Sequence, residues 1–349
     1  MRTRSLFFCL PTLALLAACA KTDAPVRLDF VGGAGLLSGN RTVAAGDTLA
    51  THAYAVGNSQ LLKSLRIEVT YAPGPAPILY PIPTSSFLAD NAPKPLTLVY
   101  LDSLLPATSG GTGRGGETLF VNGLMARTTS GKETWTYTAT DASGQSAARS
   151  YRLTVRKTDS AAVFHNYALI LRPLPRQAAR PASTRDSRRV FLNLRFGLLL
   201  PKYALLNQTG SLQANQNVVD LVCVANHTGT ALSLAAPADT ASRVPLNGSS
   251  WPADHRRATE MHAVGLTPAQ FASATTAASI RAAFDGSTAY RFPTGATSSG
   301  TTGPLALNQV VAFKALDAQG TPYYGLLQVR ALTGGTNPLL TCQVKVQKY

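Results

Sequence analysis

The segment DHRRATEMH, residues 254–262, holds side chains of the types that bind metals: an aspartate, a glutamate and two histidines. Zinc sites in proteins are built from such ligands. A helical zinc site places its two histidines four residues apart, whereas His255 and His262 are seven apart with two arginines between them. The spacing predicts a polar loop after Trp251, and we expect no metal and no cofactor.

Hydrolytic chemistry has few candidate residues. The chain contains no Gly-x-Ser-x-Gly nucleophile elbow. Glycosidases need two positioned carboxylates, and the 13 aspartates and four glutamates of this chain lie mostly at predicted turns. The Gly-rich segment 109–117 lacks the lysine of a phosphate-binding loop. We therefore expect a protein that binds or supports other molecules without catalysis, and an envelope hydrolase is the less favoured alternative.

A cysteine near the start is suited to a different reaction, the attachment of lipid. Two arginines precede an apolar run over residues 6–16, which is too short to span a bilayer as a mature helix. Residues 16–19, Leu-Ala-Ala-Cys, then resemble the lipobox of bacterial lipoproteins, where the cysteine thiolate accepts diacylglycerol and the chain is cut before it. The resemblance implies a signal peptide over 1–18, a palmitate-bearing anchor at Cys19 and a tether over 19–25.

The residue after Cys19 bears on location. Aspartate at this position is the usual signal for retention in the inner membrane, and this chain has Ala20 instead. We therefore expect a lipid-anchored outer-membrane protein, with its orientation towards the periplasm or the cell surface left open. The membrane, through the lipid anchor, is the first expected partner.

The mature chain is strongly basic. Its net charge falls from +15 to +13 once residues 1–18, which hold Arg2 and Arg4, are removed. Guanidinium groups pair with phosphate and carboxylate, so the arginine-rich segment 172–189 is a candidate anion site, and a solvated basic loop is the simpler interpretation. No aromatic side chain is interleaved to stack bases, so nucleic acid is not an expected partner. The arginines are Arg172, Arg176, Arg180, Arg185, Arg188 and Arg189.

Two cysteines remain in the mature chain besides the anchor. Cys223 and Cys342 both lie in strand-like runs. An oxidising envelope permits a disulfide between them, and two separately buried thiols are the alternative, which we favour slightly.

Residues 26–157 predict a series of short strands. In the segment TWTYTAT, Trp135, Tyr137 and Ala139 alternate with threonines, which is the period of a half-buried strand. The segment ETWTYTATDASGQSAARSYRLTV resembles the last two strands of immunoglobulin-like modules in bacterial surface proteins. That resemblance implies a β-sandwich of about seven strands without the family's inter-sheet disulfide, because this region has no cysteine.

The remainder of the chain predicts a basic linker and first strand over 158–190 and a β-rich domain over 191–349. Thr267 and Pro268 are typical of a helix start, so one or two short helices are expected within an all-β protein. The order of motifs resembles that of uncharacterised outer-membrane lipoproteins of Bacteroidota, a resemblance that implies no activity. The matching residues are Asp220, Pro237, Trp251, VVAFK (310–314), YGLLQV (324–329) and VKVQ (344–347).

Sugar rings stack on exposed aromatic side chains, and three residues are candidates for contact with a ligand: Trp251, Tyr323 and Tyr324. One of the two neighbouring tyrosines must face outward if they lie on a strand. Asp-Ser and Asp-Thr pairs followed by alanine or leucine also resemble the O-glycosylation acceptor of Bacteroidota envelope proteins. The predicted acceptors are Thr48, Ser103, Ser160 and Thr240.

Together these features predict a lipid-anchored envelope protein that presents β-sandwich loops to a protein or envelope partner. The alternative is a glycan-binding accessory lipoprotein of a polysaccharide uptake system.

Overall fold

The structure is a computed structural model, and 55% of it is strand against 9% helix, which confirms the all-β class. No helix among the described residues is long and apolar enough to cross a membrane. The description covers residues 24–73, 95–105, 116–156, 164–173, 188–206, 215–239, 251–291, 297–317 and 319–347.

The strands of residues 24–156, the N-terminal half, form two sheets with core side chains between them. A three-stranded antiparallel sheet has the order β1-β3-β6, and a five-stranded sheet has the order β2-β8-β7-β4-β5, in which only the β2–β8 pair is parallel. The strands are β1 (Val26–Phe30), β2 (Arg41–Val43), β3 (Thr48–Gly57), β4 (Leu62–Pro73), β5 (Leu96–Leu104), β6 (Glu117–Met125), β7 (Gly131–Asp141) and β8 (Ser146–Val155).

The alternation predicted for β7 is present: Trp135, Tyr137 and Ala139 are buried, and the threonines between them lie on the outer side. Polar bonds join the two sheets across this core. Thr51 and Tyr151 share a hydrogen bond of 2.8 Å, and the Asn122 side-chain amide donates to the Tyr137 hydroxyl at 2.7 Å. Because these groups are buried, the bonds fix which face of β3 and of β6 points inward.

The strands of residues 164–347, the C-terminal half, form a four-stranded sheet, β11-β10-β12-β13, and a seven-stranded sheet, β16-β15-β14-β17-β18-β19-β9. The helices of residues 268–273 and 277–285 pack on the second sheet through Phe271, Ile280 and Phe284. The elements are β9 (Phe164–Leu171), β10 (Arg189–Asn193), β11 (Leu198–Pro201), α1 (Tyr203–Leu206), β12 (Leu221–Ala225), β13 (Leu232–Ala235), β14 (Glu260–Val264), α2 (Pro268–Ser273), α3 (Ala277–Asp285), β15 (Thr288–Arg291), β16 (Thr297–Ser298), β17 (Val310–Leu316), β18 (Pro322–Thr333) and β19 (Leu339–Gln347).

Helix α2 begins as the sequence predicts. The Thr267 hydroxyl accepts a bond from the Gln270 backbone amide, and the Gln270 side chain accepts one from the Thr267 amide, which together form a capping box. The far end of the helix has an unpredicted cap. The Lys345 ammonium, on β19, donates to the carbonyls of Phe271, Ala272 and Ala274 at 2.7–2.8 Å. These bonds satisfy carbonyls that a short helix leaves unpaired.

The two halves are joined through polar as well as apolar contacts. The hydroxyls of Thr128 and Thr129 donate to the carbonyls of Gly197 and Phe196, each at 2.8 Å. Gly197 has a φ of +63°, and an added Cβ would lie 2.2 Å from the Thr128 hydroxyl. The close approach of these two backbone segments therefore needs glycine at position 197.

Candidate functional site

The outer surface of the three-stranded sheet carries exposed apolar side chains. Leu119 and Val121 of β6 are each 56% exposed, and Val31, just after β1, is 39% exposed. The strand register places Val121 opposite His52 and Leu119 opposite Tyr54, while the Val31 amide donates to the His52 carbonyl at 2.8 Å. We call these five residues the β6 face.

Among the described side chains, the strands of the five-stranded sheet carry no large apolar group as exposed as those of the β6 face. There, Glu68, Thr136 and Ser150 are cross-strand neighbours. A polar outer surface is usual for an antiparallel sheet with one solvated side. Contiguous exposed apolar side chains, in contrast, mark surfaces that contact a partner or a membrane.

Charged groups surround the β6 face. Asp29, on β1, accepts bonds from Arg27 at 2.5 Å and from Arg149 at 3.1 Å, and the Tyr54 hydroxyl donates to Glu117. The two arginine side chains remain mostly exposed although they share one carboxylate. This edge of the face is therefore available to negatively charged groups.

Of the predicted ligand-contacting aromatics, Trp251 lies in the core. Its indole nitrogen donates to the His255 carbonyl at 3.0 Å, the Arg256 guanidinium donates to its backbone carbonyl at 2.9 Å, and its ring lies 5.9 Å from that of Phe191. The side chain is fully buried. This corrects the expectation of an exposed ring, because loop 251–257 folds back over the indole and leaves no ring face for a sugar.

The two neighbouring tyrosines of β18 point in opposite directions, as alternation on a strand requires. Tyr323 is buried, which removes it from the candidate ligand contacts, whereas Tyr324 is partly exposed. The Tyr324 ring contacts Phe284 edge-on at 5.5 Å and has the Arg281 guanidinium 5.4 Å from its centroid. His262 stacks on the Phe284 ring at 4.3 Å. We call these four residues the Tyr324 cluster.

Tyr323 belongs to a buried polar group that the sequence did not predict. Asp220 accepts a bond from Arg257 at 2.6 Å and another from the Leu194 amide at 2.7 Å. Burial raises the pKa of Asp220, and Arg257 and the Leu194 amide partly oppose that rise. Burial, together with the Asp220 carboxylate, also raises the pKa of Tyr323. From the sequence, Asp220 was noted only as part of a motif and Tyr323 only as a candidate ligand contact, and Arg257 lies 37 residues from Asp220.

A second ion pair adjoins this group at the β17–β18 turn. Arg195 contacts Asp317 at 3.0 Å and lies 5.4 Å from the centre of the Tyr323 ring. The same carboxylate accepts the amides of Gln319 and Thr321. Burial alone would raise the pKa of Asp317, but these two amides and Arg195 outweigh it and lower the pKa.

We expect Asp317→Asn to lower the free energy of unfolding by about 1 kcal/mol near neutral pH. A carboxyl with a lowered folded pKa stabilises the fold above its unfolded pKa of about 3.9, and that contribution is lost as the pH falls through the folded pKa. The difference between wild type and variant should therefore shrink in acid, as measured by urea unfolding across this range. Asp285→Asn, at an exposed pair with Arg281, is the control. A difference independent of pH would contradict the prediction.

The N-terminal half contains its own buried polar group. Glu133 accepts bonds from the Arg127 amide at 2.6 Å and from the Trp135 indole at 2.9 Å, and the Arg127 guanidinium donates to Thr129 and to the Ala72 carbonyl. Burial raises the pKa of Glu133, and the indole and amide bonds oppose that rise. This group includes Thr129, one of the two threonines that join the halves, and its side chains are buried.

The predicted anion site is described only in part, because Arg176, Arg180 and Arg185 lie outside the described residues. Arg172 and Arg189 are adjacent, since the Arg172 amide donates to the Arg189 carbonyl at 3.4 Å. The Arg188 guanidinium contacts Asn337, and that of Arg189 donates to the Gly123 carbonyl on β6 at 3.2 Å. Arg189 therefore brings positive charge to the edge of the three-stranded sheet.

Cys223, on β12, and Cys342, on β19, are buried free thiols. This agrees with the interpretation favoured from the sequence, and burial raises the pKa of both thiols. Of the predicted glycosylation acceptors, Thr48 is exposed at the start of β3 and Ser103 lies in β5. Ser160 and Thr240 lie outside the described residues.

Residues 254–262 do not converge on one point. Asp254 and His255 lie on a 3-10 turn, 3.6 Å apart, while Glu260 pairs with Lys314 and His262 stacks on Phe284. Within the described part of the chain, no group of three or more His, Cys, Asp or Glu side chains is placed to hold a metal ion.

No family model and no curated protein matches the sequence. Among solved structures, a DUF4466 family protein from Parabacteroides merdae is similar at 11% identity and a TM-score of 0.30, over 94% of this chain and 100% of that one. Spo0M, a sporulation control protein from Bacillus subtilis, is similar at 9% identity and a TM-score of 0.24, over 61% and 78%. A chitin binding domain from Burkholderia pseudomallei is similar at 14% identity and a TM-score of 0.19, over 34% and 57%. Similarities this weak carry no argument about function.

Proposed function

We propose that this protein is a non-catalytic binding protein of the outer membrane, anchored by lipid at Cys19, whose β6 face contacts a protein or envelope partner. The observation that carries the proposal is the exposure of Leu119, Val121 and Val31 on one side of the three-stranded sheet. Aliphatic side chains that are exposed to water carry an unfavourable solvation free energy, which a partner that covers them would remove. The sequence directed attention to loops, and the geometry favours this sheet surface instead.

The buried polar groups support a binding role over catalysis. Asp220 and Glu133 are enclosed and engaged by amide, indole or guanidinium donors within the protein. A catalytic carboxylate must reach a substrate, and these two are turned towards the core. Their arrangement is that of groups which hold loops and halves together.

A glycan-binding accessory lipoprotein is the second candidate, and the Tyr324 cluster favours it. A partly exposed tyrosine ring beside a guanidinium offers a stacking face and hydrogen-bond donors to a sugar. Binding to a glycan and lipopolysaccharide array that survives high salt and is lost in Tyr324→Ala would support this candidate over the first, because exposed charge contacts are screened by salt.

The anchor itself gives the first test. We expect the wild-type protein to fractionate with membranes, to be solubilised only by detergent, and to carry acyl chains on the peptide that begins at Cys19. Cys19→Ser should move the protein to the soluble fraction, since a triacylated cysteine provides the durable anchor. Cys223→Ser, at a buried thiol, is the control and should leave the fractionation unchanged. Equal fractionation of wild type and Cys19→Ser would refute the lipid anchor.

A further inference from the structure

The path of the chain into β1 fixes where an anchor at Cys19 would hold the protein. The Asn58 side-chain amide donates to the Ala24 carbonyl at 2.6 Å, and the Asn58 backbone amide donates to the Pro25 carbonyl at 2.8 Å. The chain is therefore held against the body of the protein from Ala24 onward. Five residue steps separate Ala24 from Cys19, and an extended chain covers about 17 Å in five steps.

The β6 face lies within that reach. Val26 pairs with Gly57 at the end of the sheet where the chain enters. Tyr54, opposite Leu119, is three residues along β3 from Gly57, and His52, opposite Val121, is five residues along. At about 3.4 Å per residue, the two rows lie roughly 10 and 17 Å from the point of entry.

The composition of the face matches the boundary between lipid headgroups and acyl chains. Aliphatic tips can enter the boundary, and tyrosine with an apolar ring and a polar hydroxyl is typical of that depth. Arg27 and Arg149 at one side and Arg189 near Gly123 add positive charge, which complements lipid phosphate. The opposite outer surface, with Glu68, Thr136 and Ser150, also carries arginines, Arg66 and Arg152. Among its described side chains, however, the strands hold no large aliphatic group as exposed as Leu119 and Val121.

We propose that the β6 face rests on the surface of the bilayer that holds the Cys19 anchor, so that the envelope partner of the proposed function is the lipid surface itself. The inference depends on the lipid anchor of the proposed function. It places the five-stranded sheet away from the membrane.

The test uses two environment-sensitive labels on the full lipidated chain. Leu119→Cys and Ser150→Cys each receive an NBD dye, because Cys223 and Cys342 are buried and the Cys19 thiol is consumed by the lipid. The proteins are reconstituted in vesicles of phosphatidylethanolamine and phosphatidylglycerol, with and without doxyl-labelled lipid. We expect quenching by the doxyl groups at position 119 to exceed that at position 150 by about threefold or more, since an interfacial surface enters the headgroup boundary.

Val121→Cys is a second reporter on the same face, so that loss of fold in one variant does not decide the result; circular dichroism checks each fold. Equal quenching at positions 119, 121 and 150, in protein that floats with the vesicles, would overturn the inference and leave the anchor intact. A protected label at 119 in soluble Cys19→Ser without vesicles would also overturn it, because a second copy would then cover the face. Failure of the lipidated chain itself to float would instead refute the anchor.

Discussion

Asp220→Asn is expected to lower the free energy of unfolding by about 3–5 kcal/mol, because removal of one partner leaves the other charge buried without compensation. The Asp220 side chain is fully buried, and Arg257 is only 16% exposed. The carboxylate also accepts the Leu194 amide, so the change affects loop 193–197 as well. Urea or thermal unfolding, followed by circular dichroism, measures the loss.

Two further variants separate this cause from a general sensitivity to substitution. Asp254→Asn changes an aspartate that is 77% exposed beside His255, and it should alter the free energy by less than about 0.5 kcal/mol. In the double variant Asp220→Asn/Arg257→Met, part of the loss should be recovered, because the unpaired guanidinium is gone. If the double variant is less stable than Asp220→Asn by the full cost of a second core substitution, the lost charge pairing is not the cause.

Gly325→Ala is expected to lower the free energy of unfolding by about 3 kcal/mol, because a methyl group has no room at this position. An added Cβ would lie 2.0 Å from Cζ of Phe313 and 2.6 Å from the Lys345 carbonyl. Phe313 is the cross-strand partner of Gly325 on β17, and its ring covers the glycine. The ring and the β19 backbone would both have to move.

Gly123→Ala on β6 is the matched control, since it is also a strand glycine but has no heavy atom within 4 Å of an added Cβ. Its stability should change by less than about 0.5 kcal/mol. Phe313→Leu in the Gly325→Ala background should restore part of the lost stability, because leucine lacks the ring atoms that clash with the added methyl group. A loss of the same size in Gly123→Ala and Gly325→Ala would show that strand propensity, and not the Phe313 contact, sets the cost.

The elements predicted from sequence are those set by near neighbours along the chain. The alternation around Trp135 predicted β7, and Thr267 with Pro268 predicted the start of α2, where the structure adds the capping box with Gln270. The β17–β18 hairpin likewise turns at a local feature, Gly320 with a φ of +80°. Strand period and cap chemistry depend on residues within a few positions, so a single sequence carries them.

The candidate site depends on contacts that no local pattern encodes. The β6 face joins His52 of β3, Val121 of β6 and Val31, which follows β1, and Arg257 meets Asp220 from 37 residues away. Trp251 lies in a polar loop, yet the return of that loop onto Phe191 buries it. By itself, the sequence determined the β class, strand β7 and the start of α2, and the lipid anchor at Cys19 stays a prediction. Only the tertiary structure decided which side chains are exposed, because exposure is set by the packing of segments distant in the chain.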